Sequence, residues 1–491
     1  MHMTESTLPA TTPKSPATKV IQNTAVLMAG RIANAVLGGA SSVLVVRYLG
    51  SERLGLFSAI YAYVSLFGWL ATLGIEPVLT RESARWRDRA GSIMATGVAL
   101  CSVFAIVAAA FVILLAPYAG FGGKMQLLVV FVTMELLLSS PLRLPGVIFQ
   151  VDMKQWYGIS ISVGRQVVWL VTIIVLARAK GSLTAFVLGR LLVSVLETAL
   201  IVLLSARFLR PPRQIHVENF TFYVRACIPI ALSILLASIY LRIDQVMLHK
   251  LGFDKALGFY AAAVRVSELF ELIPAALLSS VFPLLAIAAN DTPRMTAHTD
   301  RIFRYVMATA GLLCTVIYAA SGLIVQTLYG AQYAPSAQLL SILIWSELAV
   351  FFGTIVSNIL LARALQNYLI YPTILGAVAN VLLNLIWIPR YAALGSAWAT
   401  LVSYTLAWTV GLLGFAKTRG IVLQGLRHGV TIAFVSIAAG VIASSAPWPP
   451  VWRIGSAAVL FGVGVGVIGA ITAEDIRYVW TALSQTLSRS V

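Results

Sequence analysis

The 491-residue sequence predicts an all-α polytopic membrane protein of about fourteen transmembrane helices, arranged as two like-oriented six-helix lobes followed by two further spans. Three observations carry this prediction. Apolar runs of at least about 18 residues recur from near residue 22 to near residue 471, each long enough to cross a bilayer. Only 11% of residues are charged and 59% are hydrophobic, whereas an average soluble chain carries about 25% charged residues. A turn motif near residue 50 also returns some 200 residues later. The strand-period alternation of an outer-membrane barrel is absent.

Taken in order, residues 1–19 are polar and rich in Thr, Pro and Ala, with no apolar core of a cleavable signal. They read as a disordered cytoplasmic tail. Spans one to six fall at roughly 22–46, 54–76, 91–116, 125–148, 156–177 and 182–205, within a first lobe of residues 20–210. Spans seven to twelve fall at roughly 222–248, 257–286, 304–328, 337–361, 367–388 and 393–415, within a second lobe of residues 211–420. Two extra spans, roughly 428–446 and 454–472, occupy residues 421–475, and residues 476–491 read as an amphipathic cytoplasmic tail. Loops are short, so no extramembrane segment can bury a core of its own. Pro229, Pro274 and Pro372 fall inside spans and are expected to kink them. Cys101, Cys227 and Cys314 lie in apolar segments and read as small core residues. Trp69, Trp169, Trp345, Trp387, Trp398 and Trp408 read as members of interfacial belts.

The net charge of +17 is largely topological rather than a sign of nucleic-acid binding. With the N-terminus inside, nineteen Lys and Arg fall on the inner side and nine on the outer side, which favours an even span number and both termini in the cytoplasm. The remaining seven basic residues lie within spans and all are arginine: Arg31, Arg143, Arg165, Arg190, Arg225, Arg242 and Arg265. At roughly 2.5–3.5 kcal/mol each, seven lipid-facing arginines would cost about 20 kcal/mol, so most are expected to face a wet cavity or to pair with acids. Arg31, Arg242 and Arg265 are the first candidates for a shared cationic cavity, and Arg165 and Arg190 follow. Arg143 and Arg225 lie nearer the cytoplasmic ends of their spans and read as snorkelling. A planar, permanently charged guanidinium suits a pyrophosphate or an acidic sugar. Bridging of helices by Arg–Glu pairs remains open; Arg265 and Glu268, for instance, share a face at i,i+3. Asp244 and Glu268 are candidates for a coupling-ion or charge-relay role, with a fixed structural partnership as the alternative.

The repeat supplies the architecture. Leu49-Gly50 matches Leu251-Gly252, Glu52-Arg53 matches Asp254-Lys255, and Leu54-Gly55 matches Leu257-Gly258. A weaker pair, Gly181-Ser182 and Gly395-Ser396, opens spans six and twelve. Both offsets equal six spans, so the repeats share one orientation and imply a site between two lobes. The five histidines do not cluster, and the sequence has no metal-ligand spacing, nucleophile elbow or phosphate loop. No catalytic residue, cofactor or metal is therefore expected, and an enzyme is disfavoured.

The run from Ile243 to Pro283, IDQVMLHKLGFDKALGFYAAAVRVSELFELIPAALLSSVFP, resembles polysaccharide flippases of the multidrug/oligosaccharidyl-lipid/polysaccharide exporter superfamily. The run VRYLGSERLGLFSAIYAYVSLFGWLATLGI, from Val46 to Ile75, resembles their first turn. The resemblance implies two six-helix lobes forming a V around a cationic cavity. It further implies alternating-access transfer of an undecaprenyl-pyrophosphate-linked oligosaccharide across the bacterial inner membrane, for O-antigen, capsule or exopolysaccharide synthesis. A polysaccharide polymerase and a chain-length regulator are the implied protein partners. By motif position, Asp244 falls in the family's I-D-x-x-M pattern and Arg265 in its A-x-R-x-x-E pattern. The alternatives are a peptidoglycan lipid precursor flippase, a cation-coupled drug exporter, and a non-transporting membrane scaffold. Span one carries Arg31 and no acid, which weighs against the drug exporters and their proton-binding acid there.

Overall fold

The computed structural model describes residues 16–209, 214–288 and 291–469; the expectations for residues 1–15 and for the final amphipathic segment lie outside these residues. The regular elements among the described residues are all helical. The first half runs α1 (Pro16–Ser65), α2 (Gly68–Thr72), α3 (Glu76–Arg85), α4 (Ala90–Leu115), α5 (Lys124–Leu142), α6 (Ile148–Val151), α7 (Gln155–Arg178) and α8 (Leu183–Ser205). The second runs α9 (Phe220–Lys250), α10 (Asp254–Ser267), α11 (Leu272–Ala288), α12 (Thr292–Tyr329), α13 (Pro335–Leu343), α14 (Ser346–Ala362), α15 (Ile370–Tyr391) and α16 (Ala393–Val410). The chain closes with α17 (Ala416–Ser445) and α18 (Pro450–Val467).

Among the described residues, 11 helices are long and apolar enough to cross a membrane, or 12 if the stretch from Asp254 to Ala288, bent within α11, is one span. The count of fourteen is thus not reached by length and apolarity alone. One reason is that α1 holds two legs in a single helix, broken only at Gly50 with φ 72° and ψ 168°. Another is that α16, at 18 residues, is not among the eleven.

The helix ends follow local chemistry. The Ser182 hydroxyl accepts the Ala185 N–H at the start of α8, and Asp291 accepts the Arg294 N–H at the start of α12; each cap satisfies a donor that the first turn leaves free. The expected kinks are only partly seen. Pro229 lies inside the continuous α9, whereas Pro274 and Pro372 stand in the first turns of α11 and α15, just after short 3-10 segments. A proline is tolerated in a first turn because no intrahelical partner is lost there. The 47° bend falls instead between Ser279 and Val281, four residues before Pro283, whose ring crowds the carbonyl of residue i−4. Cys101, Cys227 and Cys314 are free and buried.

The face bearing the start of α1 is termed proximal, and the face bearing the Gly50 turn distal. Gly252 (φ 81°) makes the matching turn between α9 and α10. These two turns, related by the sequence repeat, meet each other. A Cβ on Gly55 would strike the backbone carbonyl of Asp254, and one on Gly258 would strike that of Ser51. Glycine at both positions lets the α1 and α10 backbones approach as close as backbone can.

The distribution of the core follows from this crossing. Distally, one apolar cluster joins both halves: Val46, Leu54 and Ile60 of α1 pack in the same core as Leu257 and Tyr260 of α10 and Leu340 of α13. Proximally there are two separate clusters. One gathers Leu79, Met94 and Ile148 with Tyr223 and Cys227 of α9; the other gathers Phe303, Phe351 and Ile432 of α12, α14 and α17. Polar ties reinforce the distal seal. Arg47 donates to the carbonyls of Thr327 and Leu328 at the end of α12, each at 2.6 Å, and the Tyr333 hydroxyl donates to the Val46 carbonyl at 2.8 Å. Phe121 stacks on His249 with centroids 4.3 Å apart. The two halves therefore share a core distally and a second one proximally through α9, and the site described next lies beneath the distal junction.

Candidate functional site

A cavity of about 310 Å³ lies where α1, α7, α8 and α10 converge. Gly38, Ser41, Ser42, Val45 and Phe57 of α1 form one side; Arg165, Gln166 and Trp169 of α7 and Arg190 of α8 form another; Arg265 of α10 reaches in from the second half. Three of the five candidate cavity arginines are thus brought together from two halves of the chain.

Each is held differently. Arg165 pairs with Glu197 at 3.1 Å, and Arg143 reaches the other oxygen of that carboxylate at 2.6 Å. Arg143 also donates to Ser194 at 2.9 Å, so it is fixed inside the bundle rather than snorkelling. Arg190 lies over the Tyr61 ring at 4.9 Å and the Trp169 ring at 5.7 Å, and its Nε stands 4.0 Å from Glu135. The aromatic faces offer a cation favourable electrostatics without neutralising it. The buried Nε of Arg190 has no hydrogen-bond partner among the described residues. Arg265 donates to Ser42 at 3.2 Å across the interface between halves, and no carboxylate lies within ion-pair distance of it among the described residues. Four guanidinium groups therefore face two carboxylates, and the surplus positive charge lies on the side of Arg190 and Arg265. Desolvated positive charge with free donors is a host for an anion.

The other two candidates are corrected. Arg242 does not join this cavity. It pairs with Glu268 at 3.1 Å, because α9 and the start of the Glu268–Glu271 turn are neighbours while Arg265 is drawn across to α1. Arg31 is exposed and is not among the residues lining the cavity. It stands seven residues before Gly38, two turns toward the proximal face on the same side of α1. Trp169 is buried and packs over Arg190, so it belongs to the cavity wall and not to an interfacial belt.

A second, small cavity of about 40 Å³ lies within the C-terminal half. Asp244 is buried there; it accepts from the Tyr260 hydroxyl and from the Gln245 N–H, and Tyr260 in turn contacts Thr400 at 3.1 Å. Glu268, Glu271 and Glu347 line the same space, with Ser267 donating to Glu347 at 2.7 Å. Sequence reading singled out Asp244 and Glu268 but did not bring Glu347, eighty residues away, to the same place. The two halves thus carry opposite electrostatics: surplus arginine beside α7 and α8, and four carboxylates with one nearby arginine among α9, α10 and α14.

Comparison with known proteins gives the family. The family model for polysaccharide biosynthesis proteins matches residues 11–338. A curated relative, the probable flippase AglR of Haloferax volcanii, is 27% identical over 181 residues, which cover 36% of this chain and 38% of that protein's length. Among solved structures, the lipid II flippase MurJ in an inward closed conformation superposes with a TM-score of 0.69 at 14% identity, covering 91% of this chain and 98% of its own. An inward-facing multidrug resistance MATE family transporter of the MOP superfamily superposes with a TM-score of 0.63 at 14% identity, covering 82% and 96%. These two show the fold. The family model spans about two thirds of the sequence, so the chain belongs to the polysaccharide biosynthesis protein family, and its fold is that shared by the MurJ and MATE structures.

Proposed function

We propose that this protein moves a polyprenyl-pyrophosphate-linked oligosaccharide from one leaflet of a bacterial inner membrane to the other, by alternating access between residues 20–210 and 211–420. The observation that carries the reading is the cavity between α1, α7, α8 and α10, where Arg265 lacks an acidic partner and the buried Arg190 Nε lacks an acceptor. A pyrophosphate would supply both, through charge-assisted hydrogen bonds worth about twice neutral ones. The polyprenyl tail need not leave the bilayer, so only the head group crosses the protein. A cationic drug is a poor occupant, since like charge disfavours it. A peptidoglycan precursor carries the same pyrophosphate and is separated from an O-antigen, capsule or exopolysaccharide unit by its sugars. In this reading the proximal face is the cytoplasmic one, which the excess of basic residues in its loops supports. The carboxylates around Asp244 and Glu268 are the proposed coupling site, where uptake of a cation or proton would favour one state of the second half.

The test uses the full-length chain in proteoliposomes with a fluorescent polyprenyl-pyrophosphate sugar. Arg265→Ala and Arg190→Ala should each slow transfer by about tenfold or more, which corresponds to about 1.4 kcal/mol of lost anion binding in the moving state. Full transfer by both variants at matched protein level would remove the assignment.

A further inference from the structure

A third cavity, of about 380 Å³, runs along the N-terminal half between α7 and α8. Its walls are mostly apolar: Ile161 and Val168 of α7 and Val193, Leu196 and Leu200 of α8 line it, with Trp156 toward its proximal end, and Ser160 and the paired Arg165 and Glu197 are its polar members. Arg165 stands in its wall and also lines the cationic cavity. From Tyr157 to Val168 the groove follows α7 for about 16 Å, through the half of the membrane nearest the proximal face. Gly164 lies in its wall, and a Cβ there would meet nothing within 4 Å.

One arginine shared by an apolar groove and a cationic cavity matches the two parts of one amphiphile. From this continuity the geometry points to the α7–α8 groove as the seat of the first isoprenoid units of the substrate tail, with the pyrophosphate on the Arg165 side of the cationic cavity. This inference rests on the flippase reading and extends it by naming where the tail enters. Lipid hydrocarbon is as apolar as the groove, so the groove adds little binding energy. Its effect is orientation: a tail lying in it fixes the pyrophosphate beside Arg165, Arg190 and Arg265 while the remaining chain stays in the bilayer. Arg165 keeps its ion pair with Glu197, whose second oxygen pairs with Arg143, so two guanidinium groups share one carboxylate there and positive charge is left over.

The experiment is photocrosslinking of the full-length protein in nanodiscs with a polyprenyl pyrophosphate that carries a diazirine on its second isoprene unit. A polyprenol with the same diazirine and no pyrophosphate serves as the comparison. The pyrophosphate probe should label peptides of α7 and α8, about tenfold more than the polyprenol does. Gly164→Phe should cut that labelling by about tenfold, while competition by inorganic pyrophosphate at the head-group site is unchanged. A Gly164→Cys chain, folded first and then capped with a bulky apolar maleimide, gives the same comparison without folding around the larger side chain. Labelling confined to other helices, with pyrophosphate competition intact, would overturn the groove and leave the head-group site standing. Equal labelling by the polyprenol would overturn it as well, marking an ordinary lipid contact. Loss of pyrophosphate competition in the unmodified protein would overturn both.

Discussion

The crossing of the two distal turns offers the sharpest perturbation. Gly55→Ala adds one methyl group to α1 at the point where it meets the Asp254 carbonyl, and Gly258→Ala does the same to α10 against the Ser51 carbonyl. Neither obstacle is the far end of a flexible side chain. Both are backbone within helices that Arg47, Tyr333 and the shared apolar core hold in place. Overpacking of this kind costs about 1–3 kcal/mol. In a state where the distal turns have parted, the added methyl meets nothing and the cost disappears. The substitution therefore acts as a bias on the equilibrium between states, worth about 5–150-fold in their ratio. The readout is the rate at which an impermeant maleimide reaches a cysteine at Ser42, which lines the cavity, from each face of oriented vesicles. Each glycine variant should raise labelling from the distal face and lower it from the proximal face. The double variant should exceed either single one but fall short of their product, since both methyls disturb one contact. A folded Gly55→Ala protein labelled from each face at the unmodified rate would refute the view that this crossing is the distal seal.

Three further outcomes follow from the same geometry. Arg47→Ala removes two charge-assisted hydrogen bonds to the end of α12; at about 1.5–3 kcal/mol per bond to a charged group, it should also shift Ser42 labelling toward the distal face, and Arg47→Lys should restore part of the loss. Trp169→Ala removes a wall of the Arg190 cradle and should weaken pyrophosphate binding, measured calorimetrically, by more than Trp169→Phe, which keeps a ring face worth about 0.5–2 kcal/mol to the cation. Glu197 is held between two arginines, so Arg143→Ala with Arg165→Ala should cost about 3–5 kcal/mol by stranding a buried charge. Glu197→Gln in that background should recover much of the thermal stability; no recovery would mean that packing rather than charge governs the cluster.

Arg165, Arg190 and Arg265 could be singled out because guanidinium groups in apolar spans are costly wherever they sit, and the cavity brings those three together. Arg242 carried the same signal and ended elsewhere, because its acid is Glu268 on a neighbouring helix rather than a residue of its own turn. The sequence allowed Glu268 to pair with Arg265 at i,i+3, yet Arg265 reaches Ser42 of α1, a partner 223 positions away. Trp169 looked interfacial because an aromatic near a span end usually is; only the position of Arg190 beneath its ring shows otherwise. Glu347 has no sequence neighbour that points to Asp244; packing of α14 against α11 and the Glu268–Glu271 turn brings the two to one cavity.

The sequence by itself determined that this protein is a helical, multi-pass membrane protein, and it showed a glycine turn that returns in the second half. Those features are local or periodic: apolar length, loop charge, and a glycine turn that recurs at Gly50 and Gly252. The tertiary structure decided which charges meet. A helix that is apolar on every side has no polar stripe to announce its inward face, so the rotation of each span, and with it the company each arginine keeps, is set only when neighbouring helices pack.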